Sequence, residues 1–473
     1  MTLGILLAFA AAAIAFGLAR AKTLAYALLF LAFLPFMTLD PSAGGLVSMS
    51  GLDGGDNVAW KVSMRALSMG GILLLALRKP RAVLDVVLRP ACLPVLALFL
   101  WALIGLPRAS DPWVAFFRLG ELFAFFVTGV VLYVEAGRDT DGPTVLRWHA
   151  LAVLPLLGVT IVFAFLHPEI AFHESSAGIR RMGHKFMNSN VLGFAATAVG
   201  LWGLFVIKGT GRARTTFDTA VALLAIAAGA FVMFHARSRT AMLTAALGTF
   251  VMWFPWPHAR QSAEEAARRR LGFAAFAAVL GLALLAMAPD IQGWFLRGAS
   301  VSDVASGTGR TGLWADLVEL QVPKAPWLGA GYLNLSSAGG FEHAGHQWNN
   351  AHSAYLFALV STGFPGLLCV LFIVGLPIVC SARRVLAGPL EDRPTWTFVL
   401  AIQSTLGALS ITSFGVIGYP NVAMLFHYAL YAWTTQPLPK RAAASVPDRA
   451  FPPARSIQIP APPCHRQMAL PHD

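Results

Sequence analysis

From the first residue onward the chain is a succession of apolar runs, each close to the length that crosses a bilayer, separated by short polar breaks. A transmembrane helix needs about 20 mainly apolar residues, because the hydrocarbon layer is roughly 30 Å thick and a helix rises about 1.5 Å per residue. By that measure the pattern predicts spans at 3–19, 23–39, 60–77, 91–107, 113–134, 148–167, 188–207, 217–234, 240–256, 271–288, 352–380, 395–417 and 420–434. The first run, Leu3–Leu18, has the length of a signal-peptide core. No charged segment precedes it and no clear cleavage site follows, so it is expected to be a span. The expected fold is an all-α polytopic membrane protein of 12–13 transmembrane helices. One long loop, 289–351, separates the tenth and eleventh spans and exceeds what a simple connector needs. The expected organisation is N-terminal helices over 1–288, that loop, C-terminal helices over 352–434, and a tail over 435–473. The tail is rich in Pro, Arg and Ala without apolar periodicity and is expected to be disordered.

Composition narrows the class further. Of 473 residues, 57% are apolar and 12% charged, against about 25% charged in an ordinary soluble domain. That excludes a disordered chain, a basic nucleic-acid-binding domain and most soluble enzymes. Cys92, Cys369, Cys380 and Cys464 show no paired spacing, so neither a disulfide framework nor a zinc ribbon is indicated. The net charge of +12 would suggest a polyanion partner in a soluble protein. Here it carries orientation first. Of the 35 Lys and Arg, 23 fall in the odd-numbered loops and the tail and 11 in the even-numbered loops, counting Lys61 and Arg65 at the start of the 60–77 span with the loop before it. Cytoplasmic loops collect Lys and Arg, so the odd loops and the tail are expected inside and the long loop outside. Clusters such as Arg78-Lys79-Pro80-Arg81 and Arg268-Arg269-Arg270 then act as orientation anchors.

Three segments on the expected outer face carry chemistry. The sixth loop contains Arg180 and Arg181 and enters a span through Asn188-Ser189-Asn190. The eighth is the tight His235-Ala236-Arg237-Ser238-Arg239-Thr240. The long loop contains Gly309-Arg310-Thr311-Gly312-Leu313-Trp314, then Leu328-Gly329-Ala330-Gly331, and ends on His346-Gln347-Trp348-Asn349-Asn350-Ala351-His352-Ser353. A single arginine there could snorkel to lipid headgroups. Arg180, Arg181, Arg237, Arg239 and Arg310 together, beside a conspicuous histidine, point instead to an anion, since a guanidinium binds two phosphate oxygens at once and keeps its charge. Arg118 and Glu121, three apart within the fifth span, read as a neutralising ion pair. His343, His346 and His352 match no common zinc spacing, and no metal site is expected. The Gly329–Gly331 pair lacks a preceding strand and reads as a tight turn rather than a dinucleotide fingerprint.

These motifs, in this order, resemble the O-antigen ligase superfamily, which includes the lipopolysaccharide O-antigen ligases and Wzy-type polysaccharide polymerases. His352-Ser353, nine residues, then Gly363-Phe364-Pro365-Gly366 is similar to the ligase pattern H-[NSQ]-x9-G-x-x-G, without the Ser or Thr that sometimes closes it. Ser238-Arg239 resembles the family's Ser-Arg at the outer start of a span, and Gly309-Arg310 with Trp314 its G-R-x-x-x-W element. Gly329 and Gly331 resemble its G-x-G turn, and Asn188-Ser189-Asn190 its Pro-Asn element with Ser in place of Pro.

The resemblance implies a metal-independent, cofactor-free glycosyltransferase with a GT-C-like fold in the bacterial inner membrane, its active site facing the periplasm. The donor would be a glycan on undecaprenyl pyrophosphate. The acceptor would be lipid A-core for a ligase or a second lipid-linked repeat for a polymerase. Breaking the sugar–phosphate bond puts negative charge on pyrophosphate, which fixed cations stabilise. Arg239 and Arg310 are expected in that role, with Arg180 or Arg181 as a third. A histidine suits removal of the acceptor hydroxyl proton; His352 is expected first and His346 second. Asn190, Gly329 and Gly331 complete the expected substrate-binding set. A ligase acting on protein hydroxyls, and a transporter of lipid-linked sugars, stay open as alternatives, although no inverted repeat is visible for the latter. No nucleic-acid partner is expected.

Overall fold

The computed structural model describes residues 70–136, 153–154, 157–174, 180–183, 189–208, 216–256, 262–286, 310–332, 341–343, 346–348, 351–389, 392–413, 417 and 422–436. The expected first and second spans, most of the third and all but Thr435 and Gln436 of the tail lie outside these residues.

The described chain is mainly helical: α1 (Pro80–Val87), α2 (Leu93–Gly105), α3 (Pro112–Ala136), α4 (Ser189–Lys208), α5 (Thr216–Ala236), α6 (Arg239–Trp253), α7 (Ala263–Ala286), α8 (Arg310–Asp316), α9 (Ala354–Ala387), α10 (Arg393–Thr412) and α11 (Val422–Thr434). Among the described residues six helical segments are long and apolar enough to cross a bilayer: Pro90–Arg108, Pro112–Val134, Ser189–Lys208, Thr216–Ala236, Ala354–Ala387 and Arg393–Thr412. The protein is a multi-pass membrane protein. Its helix limits follow local chemistry. The Asp111 carboxylate accepts the Val114 N–H at 3.0 Å and starts α3, and Pro394 at the second position of α10 suits an N-terminus because its missing N–H is not needed there. Helix α6 stops at Trp253, three residues short of the expected span, because Pro255 cannot continue the ladder.

Side chains from α3, α10 and α11 build one part of the core. Phe126 meets Tyr428 and Tyr431 edge-on, with ring centres 6.2 and 6.3 Å apart, and Tyr431 donates to the Ala91 carbonyl at 2.6 Å. His427 and Gln403, both buried, share a 2.9 Å hydrogen bond between α11 and α10. Arg118 and Glu121 form the expected pair at 2.7 Å within α3, both almost fully buried. At one end of the bundle Lys208 donates to the Met252 carbonyl and Arg393 to that of Trp256, so cations cap the C-terminal end of α6.

Helix α9 would be roughly 51 Å long if straight, at 1.5 Å for each of its 34 residues. It is interrupted at Gly363, whose φ of 72° lies in the left-handed region. The kink has a partner. Phe364 donates its N–H to the Pro326 carbonyl at 2.8 Å, and Ala330 and Gly331 donate to those of Val360 and Ser361 at 2.7 and 3.2 Å. Trp101 from α2 donates to both the Trp327 and Thr362 carbonyls at 3.1 Å. The segment 325–332 is thereby docked on the bend of α9. The described part of the long loop also contains α8, extended by a π-helical turn over Leu317–Gln321 and a 3-10 turn over Val322–Lys324. Leu313 and Leu317 are buried and tie this segment to the core.

Candidate active site

At the other end of the bundle, helix termini and two loop segments converge. Ser238 begins α6 as its N-cap: its Oγ accepts the Ala241 N–H at 3.2 Å and donates to Asn190 Oδ1, near the start of α4, at 2.9 Å. Arg239 is therefore the first residue of a capped helix, and Asn190 holds the cap. Thr240, next along, accepts from the Thr412 hydroxyl at 3.0 Å, which joins α6 to the last turn of α10. Arg310, first in α8, donates from NH1 to the Thr412 carbonyl at 3.1 Å. The adjacent Ser413 carbonyl accepts the Ala354 N–H at 3.1 Å. Arg181 donates from Nε to the Ala236 carbonyl, the last of α5, at 3.2 Å. Ser353 caps α9, accepting from the Leu356 N–H at 3.4 Å. His352, just before it, has φ 48°.

The charges gathered there act on one another. Burial, then repulsion from Arg239 and Arg310, makes the Arg181 guanidinium more acidic than usual. Arg310 is shifted the same way by burial and by Arg239. A guanidinium stays protonated through shifts of this kind, so the cluster keeps its positive charge and favours an anion. His352 is pushed down to about 3, first by burial and then by the charge of Arg310. At neutral pH its imidazole is uncharged and can accept a proton.

The structure thus brings Arg181, Arg239, Arg310, Asn190 and His352 together from segments far apart in sequence. Arg180 takes another course. It pairs with Glu174 across a two-stranded ladder of β1 (Phe172–Glu174) and β2 (Arg180–Met182), is exposed, and sits 4.8 Å over the Phe172 ring. His346 begins a short strand, β4 (His346–Trp348), opposite His343 of β3 (Phe341–His343); its side chain lies outside what is described. Gly329 and Gly331 have φ of 68° and 107°. A Cβ at Gly329 would overlap the backbone of Ser361 and Thr362, and one at Gly331 the backbone of Arg108 and Ala109. Their visible part is to let backbone meet backbone, a contact the tight-turn reading did not include.

Sequence reasoning left several contributors without a part. Trp314, quoted only within a motif, donates from Nε1 to the Ala351 carbonyl at 2.8 Å. Ser353 was legible as a cap, since a serine directly preceding an apolar helix is a standard N-terminal signal. Thr240 and Thr412 carried no signal, because their value depends on which helix ends meet.

Residues 220–371 match a family model described as O-antigen ligase, a stretch that includes Arg239, Arg310 and His352. No curated protein matches the chain.

Proposed function

We propose that the protein is a glycosyltransferase of the O-antigen ligase superfamily that takes a glycan from undecaprenyl pyrophosphate and joins it to an acceptor hydroxyl, a reading supported by the O-antigen ligase family match over residues 220–371. One observation carries this reading: Arg181, Arg239 and Arg310 lie close enough to perturb one another, and Arg310 also perturbs His352. Cations fit the leaving group and the histidine fits the nucleophile. The reaction forms a bond from the acceptor oxygen to sugar C1 and breaks the bond from C1 to the phosphate oxygen. The electron pair of that bond leaves on pyrophosphate, facing Arg239 and Arg310, with Arg181 adding field. The acceptor proton goes to the His352 imidazole. Charge stabilisation by fixed cations is among the largest contributions in catalysis, and it requires no metal in this scheme. Arg180 and His346 are assigned to binding the glycan or the acceptor.

Burial beside Arg310 makes His352 a weak base by itself. A pyrophosphate bound to Arg310 brings opposing charge, which favours the imidazolium and raises its proton affinity. Donor binding therefore prepares the proton acceptor for the acceptor substrate. The charge asymmetry of the loops supports orienting this end of the bundle toward the periplasm, in the bacterial inner membrane.

Within the superfamily, His352-Ser353 with Gly363 and Gly366 favours a ligase that uses lipid A-core as acceptor. The second reading is a polymerase of lipid-linked repeats, with which the Gly309-Arg310…Trp314 element is equally compatible. A gene deletion separates them. Long glycan accumulating on lipid carrier and missing from lipid A-core is the ligase outcome; chains of a single repeat are the polymerase outcome. Unchanged envelope glycans in the deletion strain would overturn both. A transporter is disfavoured because the cations gather at one end of the bundle. Purified protein that forms a glycosidic bond in detergent, without a second compartment, would exclude transport as its sole activity.

A further inference from the structure

The spacing between Arg310 and Trp314 has a structural consequence. Residues four apart on a helix lie on one face, one turn above the other, and α8, seven residues long, is just under two turns. Arg310 holds the Thr412 carbonyl at 3.1 Å, and Trp314 holds the Ala351 carbonyl at 2.8 Å. Ala351 is fully buried and directly precedes His352. His352 is one of two described non-glycine residues with positive φ, a strained conformation that persists only where the surroundings over-determine it.

His352 is held from both sides. Before it, the Trp314 indole fixes the Ala351 carbonyl. After it, Ser353 caps α9 and the Ala354 N–H is bonded to the Ser413 carbonyl. Ser413 directly follows Thr412, which Arg310 grips. The buried Leu313 and Leu317 fasten the helical segment that bears both Arg310 and Trp314. One rigid turn therefore reaches the cation's anchor with one side chain and the histidine's backbone with another.

We propose that Trp314 is a positioning residue for His352, and that the Arg310-x-x-x-Trp314 turn sets the proton acceptor and the leaving-group cation in register with each other. The proposal rests on the reading of His352 as proton acceptor. In this role Trp314 need not touch the substrate. It acts through the Ala351 carbonyl, which keeps His352 in its strained conformation beside Arg310. Without the indole N–H, Ala351 and His352 can relax, and the imidazole moves relative to the leaving group.

The test uses the full chain in proteoliposomes with a polyprenyl-pyrophosphate-linked glycan and its acceptor. Trp314→Phe keeps an aromatic ring and removes the N–H. The expected result is a loss in kcat of up to about a hundredfold, the scale of a small misplacement of a catalytic group, with KM for the donor unchanged. In a His352→Ala background, Trp314→Phe should cause no further loss, because the two act as one unit. Loss through KM alone, full additivity of the two substitutions, or an unchanged kcat would each overturn the proposal. If Trp314→Phe does not insert or fold, the benzothienyl isostere of Trp314, which replaces Nε1–H by sulfur at constant shape, gives the same readouts. Normal activity of His352→Ala would defeat the reading of the base itself. Loss there with unchanged kcat in both Trp314 variants would defeat only the positioning role.

Discussion

Arg310 and His352 illustrate how one side chain's charge sets its neighbour's chemistry. The Arg310 guanidinium carries five N–H donors in one plane, so a lysine in its place keeps the charge and loses the fork. Arg310→Ala is expected to lower kcat by about 10²–10³, as for removal of a fixed donor to developing negative charge, and Arg310→Lys to recover only part of it in steady-state transfer assays. The pH dependence follows from the direction of the His352 shift. Burial and Arg310 hold its pKa low in the free protein, so the neutral base persists as pH falls and is lost only near that low value. Bound pyrophosphate raises it. The acid limb of the kcat profile, which reports the complex, should therefore lie at higher pH than the His352 contribution to kcat/KM, which reports free protein. Coincident limbs would contradict the coupling. At this scale residue types were legible and partners were not. Arginines at apolar borders and a histidine before a span stand out in sequence, whereas the Thr412 carbonyl that holds Arg310 belongs to an otherwise ordinary helix end.

The helices themselves were largely legible, since hydrocarbon thickness imposes a length that composition alone reveals. Ser189–Lys208 and Thr216–Ala236 follow the expected 188–207 and 217–234 within a residue or two. What the pattern could not reveal was how helix ends and loop segments bind each other. In sequence Gly329 and Gly331 read as a tight turn and Gly363 only as part of a motif within a span, yet they form the two halves of one contact, with segment 325–332 seated on the bend of α9. Gly363→Ala is expected to destabilise the protein by about 1–3 kcal/mol from backbone strain alone, seen as a lower Tm in detergent, with further loss from overlap with the Trp327 backbone. Ser238→Ala removes both the α6 cap and the bond to Asn190. It should cost about 1 kcal/mol of stability and reduce activity by releasing Arg239, and Ser238→Thr should restore most of both. Helix α8 and its π-helical continuation were expected as loop, because a segment so short has too few turns for a clear apolar period.

For the whole molecule, the same positive charge serves two purposes. In the proposed topology most Lys and Arg orient the chain in the bilayer, and a minority gather with His352 where six helix ends meet. The orientation can be measured apart from catalysis. In a variant with Cys92, Cys369, Cys380 and Cys464 replaced, a membrane-impermeant maleimide applied to right-side-out vesicles should label Ala315→Cys, at an exposed position of α8, and leave Ser262→Cys, before α7, unlabelled; the reverse would put the cluster on the cytoplasmic side. The net charge of the sequence pointed to a polyanion without saying where, and the meeting of Arg181, Arg239 and Arg310 is the location proposed for it. The most direct test of the account is glycan transfer by the purified protein from a polyprenyl-pyrophosphate donor to its acceptor, with EDTA present, comparing the wild type with His352→Ala and Arg310→Ala at matched Tm. The account predicts product from the wild type and at least a roughly hundredfold loss in each variant. Undiminished transfer by either variant, or a wild-type activity abolished by EDTA, would contradict it.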